Sequence, residues 1–207
     1  MEELKKEQGK AESELDKTRI DALKNIPADY HPTFFEYLFF MAMLWFEDKD
    51  ADYIVLETGL GGRLDATNVI NKPELCIITK IGLDHTMYLG NTLEEIAGEK
   101  AGIIKKNCPV VLYSQSELVY NIMWTKAKEL HAPFYCSQNT EVHIISQTLE
   151  GTVFSAKTDL LEMKELELPL LGSYQIKNCI TVLEACTVLQ KQGLSISEET
   201  IRTGLKN

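Results

Sequence analysis

One candidate site is a carboxylate that is followed closely by a glycine-rich turn. Glu57 comes directly after the apolar run 53–56, and three glycines follow it at Gly59, Gly61 and Gly62. Glycine lets the backbone approach a ligand, and a carboxylate at the end of a strand can bind Mg²⁺. The same carboxylate could instead cap a neighbouring helix. The glycine spacing fits neither the dinucleotide-binding fingerprint nor the phosphate-loop pattern, so the turn by itself is weak evidence for a nucleotide site.

A second candidate is the adjacent pair Asp84 and His85, which follows the apolar run 75–79. A neutral imidazole can bind a metal while a carboxylate orients the ring. The other histidines lack this setting and are interpreted as surface or structural residues: His31, His131 and His143. Metal chemistry is therefore expected at His85 rather than elsewhere.

A third candidate is Lys100, which lies in the charged segment 94–105. On charge patterning alone, such a segment is typical of a helix face exposed to solvent. Small neighbours at Gly98, Ala101 and Gly102 would also allow another part of the chain to pack closely beside Lys100. Both interpretations stay open on the residues alone.

The elements that position these residues follow from the hydrophobic pattern. Short apolar runs predict buried strands at 53–56, 75–79 and 109–112. An apolar and aromatic segment predicts a core helix at 33–46, and an amphipathic segment predicts a helix at 92–105, with Thr33 and Thr92 as N-caps. This alternation predicts an α/β fold with a mostly parallel sheet flanked by helices, in which ligands gather at the carboxyl ends of the strands.

The later part of the chain has a different pattern. Three short alternating segments predict a small antiparallel β ribbon, at 141–146, 152–156 and 161–168. Helical patterns follow at 174–190 and 195–205. Residues 1–30 carry a mixed-charge helical pattern with few apolar anchors, which indicates a charged helical leader.

Composition excludes several classes of protein. The net charge of −10 and the isoelectric point near 4.9 argue against binding to nucleic acid or to an anionic membrane. No apolar run approaches the roughly 20 residues that a membrane helix needs. The five cysteines show no metal-type spacing and are expected to be free, buried thiols in a reducing compartment, which predicts a cytoplasmic protein.

Together these segments resemble the folylpolyglutamate synthase and dihydrofolate synthase family, within the Mur ligase superfamily. The motifs that carry the resemblance are TFFE at 33–36, LETGLGGRLDATN at 56–68, GLDHTMYLG at 82–90, EKAGIIK at 99–105 and LLGSYQIKN at 170–178. The resemblance implies a P-loop NTPase-like Mur ligase central domain, incomplete, over residues 31–207.

The resemblance also implies a reaction and its ligands. ATP would phosphorylate the terminal carboxylate of a reduced folate or of dihydropteroate, and L-glutamate would displace the phosphate, in an enzyme that is a monomer. Glu57 and His85 match the Mg²⁺ ligands, with Asp84 beside them, and would lie within a few ångströms of each other. Lys100 matches a lysine that is carbamylated by CO₂ and then ligates a second Mg²⁺, which places it in the same cleft as His85.

Further residues match the family's substrate pockets. The folate pocket would be lined by Thr33, Phe34, Phe35, Glu36, Arg63, Leu64, Asp65 and Ala66. Asn178 matches the asparagine that contacts the adenine end of ATP. Helix capping followed by core aromatic residues explains 33–36 equally well, and Asn178 could simply be a residue that begins a helix.

Two departures from the family pattern qualify these expectations. A glycine-rich phosphate loop ending in Gly-Lys-Gly-Ser is expected before the TFFE motif, and no such sequence occurs in residues 1–30. The family's C-terminal domain, which contributes an arginine and an aspartate to ATP, is not found either. The 207-residue chain is therefore expected to be inactive alone. The alternatives are a non-catalytic module that binds folate or nucleotide, and a Mur-type amide ligase of cell-wall synthesis.

Overall fold

The computed structural model describes residues 31–206. The predicted leader at 1–30 lies outside these residues. The chain divides into two compact units, Met1–Gly59 and Leu60–Asn207, and each is described separately. No helix within residues 31–206 is long and apolar enough to cross a membrane.

The described part of the first unit contains helix α1, Phe34–Asp48. Thr33 caps it as predicted: its side chain accepts a hydrogen bond from the Glu36 amide, and the Glu36 carboxylate accepts one from the Thr33 amide. The expectation of a core helix was wrong, because α1 buries no side chain and Phe34 is 77% exposed. A helix that is apolar on most faces needs neighbours on several sides, and residues 31–59 contain no other helix or strand.

The strand predicted at 53–56 was also wrong. This segment has no strand assignment, and its side chains are largely exposed, including 66% of Tyr53 and 96% of Val55. A strand forms only where a neighbour satisfies its backbone N–H and C=O groups. Within residues 31–206, no strand pairs with 53–56. Hydrophobic content alone therefore misled the prediction.

The second unit contains a three-stranded parallel sheet in the order β1, β2, β3. The strands are β1, Cys76–Ile78, β2, Val110–Leu112, and β3, Phe134–Cys136. Three helices lie between them in the chain: α2, Thr86–Leu89, α3, Leu93–Ala101, and α4, Glu117–Glu129. The parallel α/β prediction is confirmed, although β3 and α4 were not predicted.

The two faces of this sheet bury different helices. Alternate residues such as Ile78, Val110 and Leu112 pack in one core with Ile96 of α3 and Met123 of α4. Successive strand side chains point to opposite faces, so the intervening residues face the other way. On that second face, Val111 packs against Ala185 and Val188.

An antiparallel sheet follows, in the order β4, β5, β6. Its strands are β4, Glu141–Thr148, β5, Gly151–Lys157, and β6, Glu162–Leu168. The chain then forms α5, Ser173–Lys191, and α6, Glu198–Lys206. The predicted antiparallel ribbon and both helices are confirmed.

Helix α5 is the central element of the second unit. One face of it packs on the parallel sheet through Ala185 and Val188. Another face packs on the antiparallel sheet through residues that include Ile176 and Leu183, which contact a core containing Phe154. Burying each large apolar side chain contributes roughly 1.5–3 kcal/mol. The position of α5 is therefore fixed from both sides.

A row of hydrogen bonds also runs along α5, and we call it the polar seam. Its four pairs are Thr181–Ser137, Glu184–Thr140, Thr187–Thr158 and Lys191–Asp159, with donor–acceptor distances of 3.3, 3.0, 2.7 and 2.8 Å. The first three pairs are buried. Because buried polar groups without partners are costly, these bonds hold α5 to the loops that contain the partner residues.

All five cysteines are free thiols, as predicted, and four of them are buried. Burial raises the pKa of Cys179 to about 12, which keeps this thiol protonated at neutral pH. These thiols therefore serve mainly as small apolar side chains.

Glu184 makes the stability of the fold dependent on pH. Burial raises the pKa of its carboxyl above the ordinary value of 4.5, whereas the hydrogen bond from Thr140 lowers it. The pKa of Glu184 is therefore higher in the folded state than in the unfolded state. The folded protein is stabilised by the protonated carboxyl, fully so below the unfolded pKa, and this stabilisation is lost as pH rises through the folded pKa. Glu184→Gln should therefore change stability little near pH 4.5, and should raise the free energy of unfolding near pH 8, where the glutamate is ionised and the glutamine stays neutral.

Urea unfolding of both proteins across this pH range measures the difference. Glu141→Gln, which changes an exposed carboxyl on β4, is the matched control and should show no comparable rise. An increment for Glu184→Gln that is constant with pH would contradict the assignment of a raised pKa in the folded state.

Candidate functional site

The first turn of α3 contacts the end of the segment 82–90, which contains His85. Thr92 caps the helix through its hydroxyl, and the Glu95 carboxylate accepts hydrogen bonds from the Asn91 and Thr92 amides, at 2.7 and 3.1 Å. Gly90, at φ 113°, lies against Glu95, and a Cβ there would clash with the Glu95 side chain. The glycine therefore permits both the turn and the close contact.

His85 has a backbone conformation that is uncommon for a residue other than glycine, with φ 50°. Its amide donates a hydrogen bond to Asp84 Oδ1 at 2.8 Å, and its Nε2 lies 3.7 Å from Asp84 Oδ2. The side chains of His85 and Asp84 are 57% and 82% exposed. The pair is therefore open to a ligand, and the structure brings these two predicted residues together.

The loop 60–68 folds around Asp65. One carboxylate oxygen accepts hydrogen bonds from the amide and hydroxyl of Thr67, at 2.9 and 2.6 Å, and so caps the short 3₁₀ helix Ala66–Val69. The other oxygen accepts a hydrogen bond from the Leu60 amide at 2.8 Å. Asp65 therefore organises the loop, a role that the sequence did not reveal.

This loop is attached to the end of α3. The Arg63 amide donates to the Glu99 carbonyl at 3.0 Å, and the Arg63 guanidinium bonds the Glu99 carboxylate through Nε and Nη2, at 3.1 and 3.0 Å. Asn68 Nδ2 donates to the Gly102 carbonyl at 3.1 Å. An exposed ion pair contributes at most about 1 kcal/mol, so the backbone and amide hydrogen bonds define the position of the loop.

Lys100 is half-buried at the same end of α3. Within residues 31–206 its ammonium group has no hydrogen-bond or ion-pair partner. A Cβ on Gly62 would lie 3.2 Å from the Lys100 Cα, so the loop packs directly against this turn of the helix. The predicted close packing beside Lys100 is confirmed at Gly102, which Arg63 of the loop contacts. It is absent at Gly98, where a Cβ would meet nothing within 4 Å.

Parts of the three segments singled out from the sequence therefore converge on α3. Gly61 completes the arrangement, because a Cβ there would lie 2.7 Å from Cδ2 of Leu89 in α2. The loop 60–68, the His85 segment and Lys100 thus belong to one assembly. Glu57 is exposed and belongs to the first unit, so its joint role with His85 stays a prediction.

A cavity of about 660 Å³ opens at the carboxyl ends of β1 and β2. This volume is typical of small-molecule sites, and parallel sheets bind ligands at this edge. The residues that line it are Ile77, Thr79, Lys80, Tyr113, Tyr174, Asn178, Thr181 and Val182. Asn178 is exposed, and its Nδ2 donates to Gln175 Oε1 at 3.3 Å. The residue predicted for adenine therefore lines a cavity of suitable size.

Most of the chain matches one protein family. The sequence profile described as the Mur ligase middle domain matches residues 14–186. This span includes the three segments around α3 and the half of α5 that lines the cavity. The chain belongs to the Mur ligase middle domain family.

Relatives of this Mur ligase middle domain include the dihydrofolate synthase/folylpolyglutamate synthase of Bacillus subtilis (strain 168). It is 40% identical over 177 residues, which cover 84% of this chain and 41% of the relative. The folylpolyglutamate synthase structure from Thermotoga maritima matches with a TM-score of 0.75 and 35% identity, covering 94% of this chain and 42% of that one. An FPGS complex with AMPPCP and folate matches with a TM-score of 0.81 and 29% identity, covering 90% and 46%. The chain thus spans less than half the length of these relatives.

Several residues expected in the folate pocket have structural roles in this Mur ligase middle domain. Thr33 and Glu36 form the capping box of α1, and Arg63 and Asp65 hold the loop 60–68. The apolar members are accessible, since Phe34, Phe35 and Leu64 are 77%, 45% and 80% exposed. Their contact with folate stays a prediction.

Sequence reasoning missed several cavity residues of this Mur ligase middle domain. Lys80 is the second residue after β1, so its place near the strand end was a signal that could have been used. Tyr174 and Thr181 lie four residues before and three residues after the predicted Asn178 on α5, which places all three on one helix face. Tyr113 directly follows β2, as Thr79 directly follows β1.

Proposed function

We propose that this chain is the nucleotide- and folate-binding middle domain of an ATP-dependent ligase that joins glutamate to folates. Two observations carry the proposal: parts of the three motif segments assemble on α3, and a cavity lined by Asn178 opens at the carboxyl ends of β1 and β2. The named activity of the Bacillus subtilis relative, 40% identical over 177 residues, supports folates as substrates. Both folylpolyglutamate synthesis and dihydrofolate synthesis fit this relative's name.

The proposed reaction has two steps. A carboxylate oxygen of the folate or pteroate attacks the γ-phosphorus of ATP, so an acyl phosphate forms and ADP leaves. The amino group of L-glutamate then attacks the acyl carbon, and the tetrahedral intermediate expels phosphate as the amide forms and the amine loses a proton. Negative charge develops on phosphoryl oxygens in the first step, so cationic and N–H groups aimed at them should contribute most to the rate.

Glu57 and His85 are the proposed Mg²⁺ ligands. Both side chains are exposed, and within residues 31–206 no group of three His, Cys, Asp or Glu side chains is placed to hold a metal. A site with few protein ligands fits Mg²⁺, which usually keeps several waters and binds substrate phosphates. Bound Mg²⁺ would supply neutralisation of charge on the phosphoryl oxygens.

The chain's own residues have separate proposed tasks. Asn178 would orient the adenine through its amide, which can both donate and accept hydrogen bonds. Lys100 is the proposed site of carbamylation, because its half-buried amine lacks a partner within residues 31–206. The exposed Leu64 would offer apolar contact to the pterin or pteroate. The proposed compartment is the cytoplasm, in keeping with the five free thiols.

Nucleotide binding provides the direct test. Asn178→Ala should weaken the Kd for ATP about tenfold, because it removes one or two hydrogen bonds worth roughly 0.5–1.5 kcal/mol each. Isothermal titration calorimetry of the 207-residue chain gives the Kd. Asn121→Ala is the matched control, since Asn121 is exposed on α4 and does not line the cavity.

Equal ATP affinity in the Asn178→Ala and Asn121→Ala chains would contradict the proposed adenine contact. Absence of any ATP binding by the unsubstituted chain would contradict the proposed nucleotide site itself. A folate analogue titrated into the same proteins tests the folate pocket independently, and it should bind the Asn178→Ala chain as well as the original.

A further inference from the structure

The cavity beside Asn178 contains one charged side chain among the described residues that line it, and that residue is Lys80. Lys80 is the second residue after β1 and is exposed. Within residues 31–206 its ammonium group has no hydrogen-bond or ion-pair partner, in contrast to Lys105 and Lys191. An unpaired cation thus lies at the strand ends, where ligands of parallel sheets bind.

The negative charge of the whole chain makes a lysine at this cavity significant for the binding of anions. The net charge is −10, so a polyanion meets general repulsion and needs a local positive group at its binding site. The other polar residues that line the cavity are neutral: Thr79, Tyr113, Tyr174, Asn178 and Thr181. Lysine binds phosphate as a flexible point charge. Among these residues, Lys80 is the one that can compensate phosphate charge.

We infer that Lys80 binds a phosphate group of the nucleotide and thereby selects nucleotides over nucleosides in this cavity. The inference rests on the proposed function, in which the cavity takes ATP. The other lining residues divide accordingly: the apolar and aromatic surfaces of Ile77, Tyr174 and Val182 suit the base and ribose, and Lys80 attracts the phosphate chain. The contact is electrostatic, so it weakens as salt screens the charges.

The test compares ATP with adenosine. The Kd of each is measured by calorimetry for the 207-residue chain, in buffer with a chelator so that no divalent cation contributes. Lys80→Met should weaken ATP binding about five- to tenfold and leave adenosine within about twofold, because only ATP carries phosphate. Lys80→Arg should retain the preference for ATP. Raising the salt concentration should reduce the preference in the original chain more than in the Lys80→Met chain.

Lys106→Met is the matched control. Lys106 is exposed and has no hydrogen-bond or ion-pair partner in the described residues, but it precedes β2 and does not line the cavity. Its loss should change neither Kd, because it lies in the segment before the amino end of that strand. Should Lys80→Met prove unstable in a thermal melt, Lys80→Gln provides a second neutral variant.

Each other outcome overturns the inference. An equal loss of ATP and adenosine affinity would assign Lys80 to the base or to the shape of the cavity. Unchanged ATP affinity in the Lys80→Met chain would show that Lys80 does not bind phosphate. An equal effect of Lys106→Met would show that the effect of Lys80→Met is not specific to the cavity. If the original chain binds neither ligand, the proposed function fails first, and this inference fails with it.

Discussion

A chain of these 207 residues should release no ADP above background when it is supplied with ATP, Mg²⁺, a reduced folate and glutamate. Phosphoryl transfer depends on backbone N–H groups and a lysine placed around the β and γ phosphates. The sequence contains no Gly-Lys-Gly-Ser motif, and Gly9-Lys10 lies in a run of mostly charged residues.

The expected effect is large because each missing donor multiplies the loss. Removing one donor that stabilises a transition state costs about 10²- to 10³-fold in rate. Losing several should bring turnover below detection, whether or not the cavity beside Asn178 binds the base of a nucleotide as proposed. Binding without turnover would separate the contribution of this domain from the contribution of the phosphate loop.

A coupled ADP assay with a Glu57→Ala chain as control distinguishes the outcomes. Folate-dependent release at the same rate in both proteins would indicate a contaminating ATPase. Release that disappears in the Glu57→Ala chain would contradict the expectation, because it would mean that this chain catalyses phosphoryl transfer without the loop.

Gly102→Ala should destabilise the protein by about 1–3 kcal/mol, the range for overpacking of a close contact. Gly102 has an ordinary helical conformation, with φ −61°, so backbone freedom does not explain the glycine. A Cβ at this position would lie 2.5 Å from the Arg63 Cα and 2.9 Å from the Arg63 amide nitrogen. Because these are mainly backbone atoms, the loop 60–68 would have to move away from α3.

Gly98→Ala is the control for this prediction. Gly98 lies within α3, and a Cβ there meets nothing within 4 Å. Alanine should therefore stabilise the helix by about 0.5–1 kcal/mol, through propensity alone. Urea unfolding of the three proteins gives the two changes. Changes of the same sign at Gly98 and Gly102 would contradict the close docking of the loop on α3.

The fold could be predicted from sequence where the local pattern and the tertiary neighbours agree. The apolar runs at β1 and β2 found parallel partners, and Thr92 with Glu95 marked the start of α3. The run 53–56 has the same composition but no partner strand in the described residues, and a sequence pattern does not reveal whether a partner exists. Helix α4 was not predicted, although its sequence pattern indicates a helix: the buried residues Val119, Met123 and Ala127 recur every four positions.

The site could be predicted only in part. Asp84 and His85 are adjacent in sequence, so their proximity required no tertiary information. The contacts between Arg63 and Glu99, and between Asn68 and Gly102, join residues more than thirty positions apart. The spacing of residues within a short sequence segment does not predict contacts of this kind. The structural task of Asp65 was hidden for a different reason, because a carboxylate that caps a turn and one that binds a ligand look identical in sequence.

The polar seam prevents α5 from sliding along its own axis. A helix held by apolar contacts alone can slip by one turn, about 5.4 Å, and still bury similar surface. Slippage of α5 would separate Thr181, Glu184 and Thr187 from these partners at once. Thr181 and Thr187 would keep their bonds to carbonyls of α5 itself. Glu184 and Thr140 would each lose their side-chain hydrogen bond, at a cost of about 1–3 kcal/mol for each buried group. The position of Asn178 at the cavity is thereby fixed relative to Thr140 and Thr158, which flank β4 and β5. A tilt of the antiparallel sheet would consequently be transmitted to the wall of the cavity rather than absorbed at the helix surface.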